Sequence, residues 1–349
     1  MAFELYDLVT LTELYRRVKQ PTPPFWTNWF KKAIHFDTPE IYFEKVFGDD
    51  RMLAPFVVPT SAGRPTKLDG YQAVSFAPAY IKLLDPVDPK MFIERQAGEG
   101  FGGSLTIDQR RNAVVAELLR KHDVKIKNRK EWLAARAIID GKVTISGEDY
   151  PSALVDFRRD PSLTAVLAGA AKWDVGTGAP LDTLKNMRLA ANGLSGARIS
   201  KHVFGATAWD LFTQRVDVKE MMNRNFGGLN TEVTRMLDSY EGQEYVGRIA
   251  GLNGAGAIDV FIDTSKYIDP EDGLEKFYLD QTTVVGVSDM VEGVQCFGAI
   301  MDKRAGYRPL ETFFKNYDQE NPSVEYLLSQ SSPLLVPKVP NASFSVKVA

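Results

Sequence analysis

The chain has 349 residues, and its 42 Lys and Arg against 45 Asp and Glu leave a net charge of −3, which excludes a general electrostatic pull toward nucleic acid and allows only local contacts. This length permits two domains or one elaborated domain with a core that needs no staples, and the lone Cys296 excludes an internal disulfide framework and fits a reducing site of synthesis. No charge-free stretch exceeds 12 residues, too few to cross a bilayer as a helix, so the composition predicts a soluble protein with no membrane partner.

The opening segment, MAFELYDLVTLTELYRRVKQ, places Glu4, Asp7 and Glu13 where a secretory signal would be unbroken and apolar. It predicts an amphipathic helix with Leu5, Leu8, Leu11, Leu14 and Tyr15 on or near one face. Three prolines in QPTPPFWTNWF (20–30) argue against regular helix there, yet Phe25, Trp26, Trp29 and Phe30 each offer roughly 150–250 Å² for burial. Such an arm must be covered, either by the chain's own core or by a neighbouring subunit.

Prolines at 55, 59, 65, 78, 86 and 89 exclude a central strand or a helix between Met52 and Phe92. Two extended segments are predicted instead, Ala54–Ser61 and Gln72–Leu84, joined by the polar tip AGRPTKLDGY. A lone hairpin is marginal in water, and a long irregular excursion needs a role. Both difficulties vanish if the hairpin lies across another subunit.

Glycines at 98, 100, 102 and 103 form a hinge before Thr106, a good helix N-cap. Ile107, Val114, Val115, Leu118, Leu119, Ile126, Leu133 and Ala137 then recur at helical spacing, and Gly141 closes the run. Thirty-odd residues make a rod of roughly 50 Å. Its weakest stretch is Asp123–Asn128, where a kink or break is predicted. Within it, RKHDVKIKNRKEW (120–132) collects Arg120, Lys121, Lys125, Lys127, Arg129 and Lys130. One reading is a solvated helix face, the usual fate of a charge run; the other is a stripe that meets a polyanion.

Beyond the helix, KVTISGEDYPSALVDFRR alternates as a hairpin does. Helices are predicted from Pro180 and over TAWDLFTQRVDVKEMMNRNFGG, the latter closed by Gly227. From Glu244 the chain is β-rich, and its last residues, from Ser323, read as an extended tail returning to an earlier sheet. The fold class is therefore α+β.

Motifs for catalysis do not survive inspection. Gly251, Gly254 and Gly256 stand in the order G-x-x-G-x-G before a β-like segment, which fits a hairpin turn better than a dinucleotide loop. DPEDG (269–273) lacks the closing glutamate of a calcium loop, and Asp272-Gly273 is a turn signal. His35, His122 and His202 lack helical partners for zinc, and no G-x-S-x-G elbow occurs. The residues thus predict no enzyme, no cofactor and no metal.

Taken in order, FVVPTSAG with FAPAYIKLLDPVDPKMFIERQAGE, TIDQRRNAVVAELLRKH with AARAIIDGKVTISGED, ATAWDLFTQRVDVKE, and YLLSQSSPLLVPKVPNASFSVKVA resemble the major capsid protein E family of lambda-type tailed phages, with the Hong Kong 97 fold. The resemblance implies an N-arm (1–50), an extended E-loop (51–96), a peripheral domain with a spine helix (97–180), an axial domain (181–325) and a C-terminal strand returning to the peripheral domain (326–349). It implies inter-subunit contacts for Phe25, Trp26, Trp29 and Phe30 of the arm and for Pro59, Gly63, Arg64, Lys67 and Tyr71 of the E-loop. The basic run Arg120–Lys130 becomes a lumen-facing stripe. The implied partners are further copies in hexamers and pentamers, portal and scaffolding proteins, a trimeric decoration protein in some relatives, and packaged double-stranded DNA bound without sequence preference. The implied location is the virion, and the host cytoplasm during assembly. Two alternatives are an encapsulin-like cellular compartment and, against the glycine order, a nucleotide-binding enzyme.

Overall fold

The computed structural model describes residues 24–38, 41–47, 70–76, 78–88, 90, 106–147, 150–175, 177–219, 243–249, 257–319 and 324–349. The amphipathic segment 1–20, the glycine hinge 98–103 and the Gly251–Gly256 turn lie outside these residues.

A short helix, α1 (Pro24–Trp29), occupies the aromatic arm. The prolines were expected to exclude it. Pro24 sits instead at the first helical position, where a missing N–H costs no hydrogen bond and the fixed φ suits the helix. Strand β1 (Lys32–His35) follows, then β2 (Ile41–Phe47) and β3 (Gly70–Phe76), which pair antiparallel from Ile41 opposite Phe76 to Phe47 opposite Gly70. The predicted segment Gln72–Leu84 is thus interrupted around Pro78, and β4 (Ile81–Val87) belongs to another sheet. The hairpin partner of β3 is β2; Ala54–Ser61 lies outside the described residues.

The long helix α2 (Ile107–Ile139) spans 33 residues. Thr106 and Gln109 cap its start reciprocally, the Thr106 hydroxyl accepting the Gln109 N–H at 3.3 Å and the Gln109 carbonyl accepting the Thr106 N–H at 2.9 Å. Gly141, at φ +67°, ends it as expected. The predicted break is absent, the helix running uninterrupted through Asp123–Asn128. Asp123 and Lys127, one turn apart and both buried, form an ion pair at 2.9 Å that carries the helix through its polar middle.

A hairpin, β5 (Lys142–Gly147) and β6 (Tyr150–Asp156), follows as predicted. Helix α3 (Pro180–Ser195) starts at the predicted proline. The predicted second helix is interrupted: α4 (Ala206–Gln214) stops where Arg215 turns extended and its guanidinium donates to the carbonyls of Val175 and Gly178, residues 216–219 are again helical, and Gly227 lies outside the described residues.

The remaining strands are β7 (Thr164–Val166), β8 (Lys201–Gly205), β9 (Gln243–Ile249), β10 (Ile258–Asp263), β11 (Lys266–Ile268), β12 (Glu275–Phe277), β13 (Thr283–Val287), β14 (Val294–Phe297), β15 (Phe313–Gln319), β16 (Val324–Ser331), β17 (Pro333–Val336) and β18 (Ser343–Lys347). They build a six-stranded mixed sheet in the order β7-β18-β13-β8-β10-β9, and two three-stranded sheets, β1-β14-β17 and β15-β16-β4. The tail, read as one extended strand, divides among all three because prolines at 333, 337 and 340 interrupt the ladder. Its last strand, β18, lies between β7 and β13, in the same sheet as strands from the 181–325 region. Asp272-Gly273 makes the expected turn between β11 and β12, with Gly273 at φ +70°.

Three larger apolar clusters organise the described residues, beside a small fourth of Ile300, Ala305 and Phe313. One gathers α1, the C-terminal half of α2, and β14 and β17. Another lies between α3, α4 and the six-stranded sheet. The third seats the N-terminal half of α2 on β4, β15 and β16.

Candidate functional site

The long helix α2 is the element on which α1, β4 and the C-terminal tail converge. Val114, Val115 and Leu119 bury against Val87, Phe314 and Leu327. Two polar pins cross this contact. The Arg111 guanidinium reaches the Glu325 carboxylate at 2.8 Å, with both side chains nearly buried. The His122 ring sits between the Ser329 hydroxyl at 2.6 Å and the Asp85 carboxylate at 2.9 Å. Burial holds the His122 imidazole below its ordinary range, with Asp85 opposing that shift. A neutral ring fits both contacts if Nε2–H donates to Asp85 and Nδ1 accepts from Ser329. Strand β4, helix α2 and strand β16 are thereby joined at one point.

The basic run does not form one exposed stripe. Arg120, Lys121 and Lys125 face solvent, and Arg120 is paired with Glu117 at 2.7 Å. Arg129 is half-buried, its guanidinium 5.3 Å from the Trp132 ring. Lys127 and Lys130, only 5% and 3% exposed, point inward. They depart from the expected lumen-facing stripe because the apolar face of α2 continues beneath them: Lys127 neutralises buried Asp123, and the Lys130 ammonium packs between the Trp26 and Phe297 rings at 4.9 and 4.6 Å from their centroids.

The arm contacts also differ from expectation. Phe25, Trp29 and Phe30 are buried in the chain's own core, with Trp26 half-buried beside them. Phe25 and Trp29 pack with ring centroids 5.6 Å apart, and the Phe30 carbonyl accepts from the Gln295 amide at 2.6 Å. Gly293 permits this approach, since a Cβ there would stand 2.5 Å from the Phe30 ring and 2.6 Å from the Trp29 carbonyl oxygen. Phe25, Trp29 and Phe30 therefore complete a core within the chain, and Trp26 keeps part of its surface exposed. Of the E-loop residues, Tyr71 lies on β3 opposite Val46, whereas Pro59, Gly63, Arg64 and Lys67 lie outside the described residues.

Glu131 escaped the sequence reading. Its carboxylate, 1% exposed, accepts the N–H groups of Phe25 and Trp26, each at 2.7 Å. Arg159 is a second omission: its guanidinium donates to the carbonyls of Ile138 and Ile139, at the end of α2, and to the Thr164 hydroxyl. It takes the place of the missing next turn. A cleft of about 750 Å³ separates Tyr80 and Lys82 from Trp132, Tyr267 and Glu271. Among the described residues, no three His, Cys, Asp or Glu side chains converge as metal ligands would. Cys296 is buried in β14, and burial pushes its thiol up to about 12.

This arrangement braces a long helix against sheets and carries a ribbon, β2–β3, that pairs with no other described strand. Comparison with known proteins agrees with such a frame. The phage major capsid protein E family matches residues 7–348. The major capsid proteins of Escherichia phage N15 and Escherichia phage lambda are 28% and 26% identical over 334 residues, covering 94% of this chain and 94% of each relative. The crystal structure of a prophage capsid protein from E. coli CFT073 superposes with a TM-score of 0.74 at 21% identity, covering 99% of this chain and 100% of that one. With both the sequence family and the capsid fold in place, the chain belongs to the phage major capsid protein E family, the lambda-type major capsid proteins of tailed phages.

Proposed function

We propose that copies of this chain close into hexamers and pentamers of an icosahedral head around double-stranded DNA, with residues 97–180 at the periphery of each capsomer and 181–325 around its axis. The observation that carries the reading is the β2–β3 ribbon, which is paired only with itself among the described strands. A two-stranded ribbon alone is marginal in water, so a neighbouring subunit beneath it supplies what it lacks. Rings of this kind require a head-to-tail contact, and two ring sizes require compliant joints. The glycines between 98 and 103 provide candidates.

In this reading the exposed part of the basic run, Arg120, Lys121 and Lys125 with the edge of Arg129, faces packaged DNA or a scaffolding protein. Each copy contributes only a few phosphate contacts, but many copies on one surface neutralise a dense polymer without reading its sequence. Portal and scaffolding proteins, and a trimeric decoration protein where one is used, complete the assembly in the host cytoplasm. The family supports a structural protein rather than an enzyme.

Electron microscopy of the chain expressed with and without scaffolding protein tests the proposal. Closed shells are expected from the full chain, and deletion of residues 63–70 is expected to leave soluble subunits that do not close. A full chain that stays monomeric under both conditions, or normal shells from the deletion, would refute it. Long DNA inside purified particles distinguishes a phage head from an encapsulin-like compartment, which would hold a cargo enzyme.

A further inference from the structure

Two adjacent residues of α2 grip the arm through ionisable heads placed in a dry core. Glu131 offers one carboxylate oxygen to the Phe25 N–H and the other to the Trp26 N–H, each at 2.7 Å. Lys130 sets its ammonium against the faces of Trp26 and Phe297. Among the described residues, no cation is in ion-pair contact with Glu131 and no carboxylate with Lys130. The groups facing Glu131 are Asp263 from β10 and, beyond it, the Tyr278 phenol, itself near Arg129 and Tyr267. Those facing Lys130 are Glu311 and, within its own helix, Lys127 and Asp123. Helix α1 brings no titratable side chain, β17 brings none, and β14 brings only Cys296. A proton gained or lost by either head therefore changes the cost of keeping the arm seated.

We propose that Lys130 and Glu131 form a proton-linked clasp through which the spine helix holds or frees the arm. This concerns one chain by itself and stands apart from shell formation. Glu131 is pushed up to about 8, burial outweighing its two N–H bonds. Between its ordinary 4.5 and about 8, the seated arm keeps a proton that the freed arm releases, so the hold weakens as pH rises. Lys130 is pulled down to about 8, again chiefly by burial. From about 8 to its ordinary 10.5, seating the arm expels a proton, so the hold strengthens as pH rises. The two slopes oppose each other, and the arm is loosest near pH 8.

Hydrogen exchange of the full, unassembled chain, read by mass spectrometry on peptides covering residues 24–30 and corrected for intrinsic rates, tests this between pH 6 and 10.5. Protection is expected to fall by up to about tenfold per pH unit toward pH 8 and to recover above it. Glu131→Gln should remove the acid limb alone and Lys130→Met the alkaline limb alone. Flat or monotonic protection in the wild-type chain overturns the proposal, as do two limbs persisting in both variants. If either variant fails to fold, the wild-type profile decides: a minimum near pH 8 supports the clasp and any other shape refutes it.

Discussion

Replacing Phe25 with alanine separates an arm that belongs to its own core from one that belongs to a neighbour. The ring is fully buried, touches Trp29, and lies in the cluster that includes Leu133, Ile138, Leu334 and Cys296. Deleting such a ring removes its transfer free energy and leaves a cavity that the flanking helix and strands fill only in part, a loss of about 3–5 kcal/mol. The backbone N–H bonded to Glu131 is retained, so the loss reports packing alone. In urea, with a slope of about 3 kcal/mol per M for a chain of this size, the unfolding midpoint of unassembled protein should drop by about 1–1.7 M. A change below about 1 kcal/mol in the unassembled chain, together with a clear assembly defect, would show that the ring is covered by another subunit and would refute the reasoning.

Four other outcomes are expected. Arg111→Met should lower the stability of the unassembled chain by about 3 kcal/mol because it takes the counter-charge from the nearly buried Glu325 carboxylate, which keeps the Asn316 amide at 3.0 Å, and adding Glu325→Leu should restore part of that loss in a denaturation cycle. Gly293→Ala should cost about 1–3 kcal/mol in the same assay by pushing Phe30 and the Trp29 carbonyl outward. Burial pulls the His202 imidazole down to about 3, so its stabilising share is complete above pH 6.5 and is lost as the pH falls toward 3, by up to about 1.4 kcal/mol per pH unit; His202→Leu should flatten that part of the acid-denaturation curve. Lys121→Glu with Lys125→Glu should leave the melting temperature nearly unchanged and reduce the salt dependence of DNA binding by the shells, whereas Lys127→Glu should impair folding itself, because its acceptor Asp123 is buried.

Periodicity made the long helix, its cap at Thr106 and its end at Gly141 readable in advance, since these depend on residues close together in sequence. The cover of the arm was not legible, for a different reason. Aromatic residues announce that they will be covered, but nothing local distinguishes cover from one's own β14 and β17 from cover by another copy. The basic run misled through composition. Lys130 falls on the same three-to-four spacing as Ile126, Leu133 and Ala137, a signal that it lies on the apolar face and must be wrapped there, whereas Lys127 lies at the edge of that face, one turn from buried Asp123. Glu131 carries no such signal, standing two residues before Leu133 and five after Ile126. Its partners, the backbone groups of Phe25 and Trp26, lie far upstream, and no pattern within a helix reveals them. Among the extended segments, the prolines marked where strands break but not which strands pair, and β3 joined β2 because hairpin partners are chosen by register and not by proline content.

One topological detail bears on timing. Lys32 of β1 lies beside Val294 of β14, and Ile81 of β4 lies opposite Ser331 of β16. Sheets closed by such distant partners form slowly, because a long loop must be ordered before any of its contacts repays the entropy. A half-made subunit consequently has no finished surface to offer, which keeps synthesis and shell growth as successive events and makes the supply of completed chains a natural pacemaker for the particle.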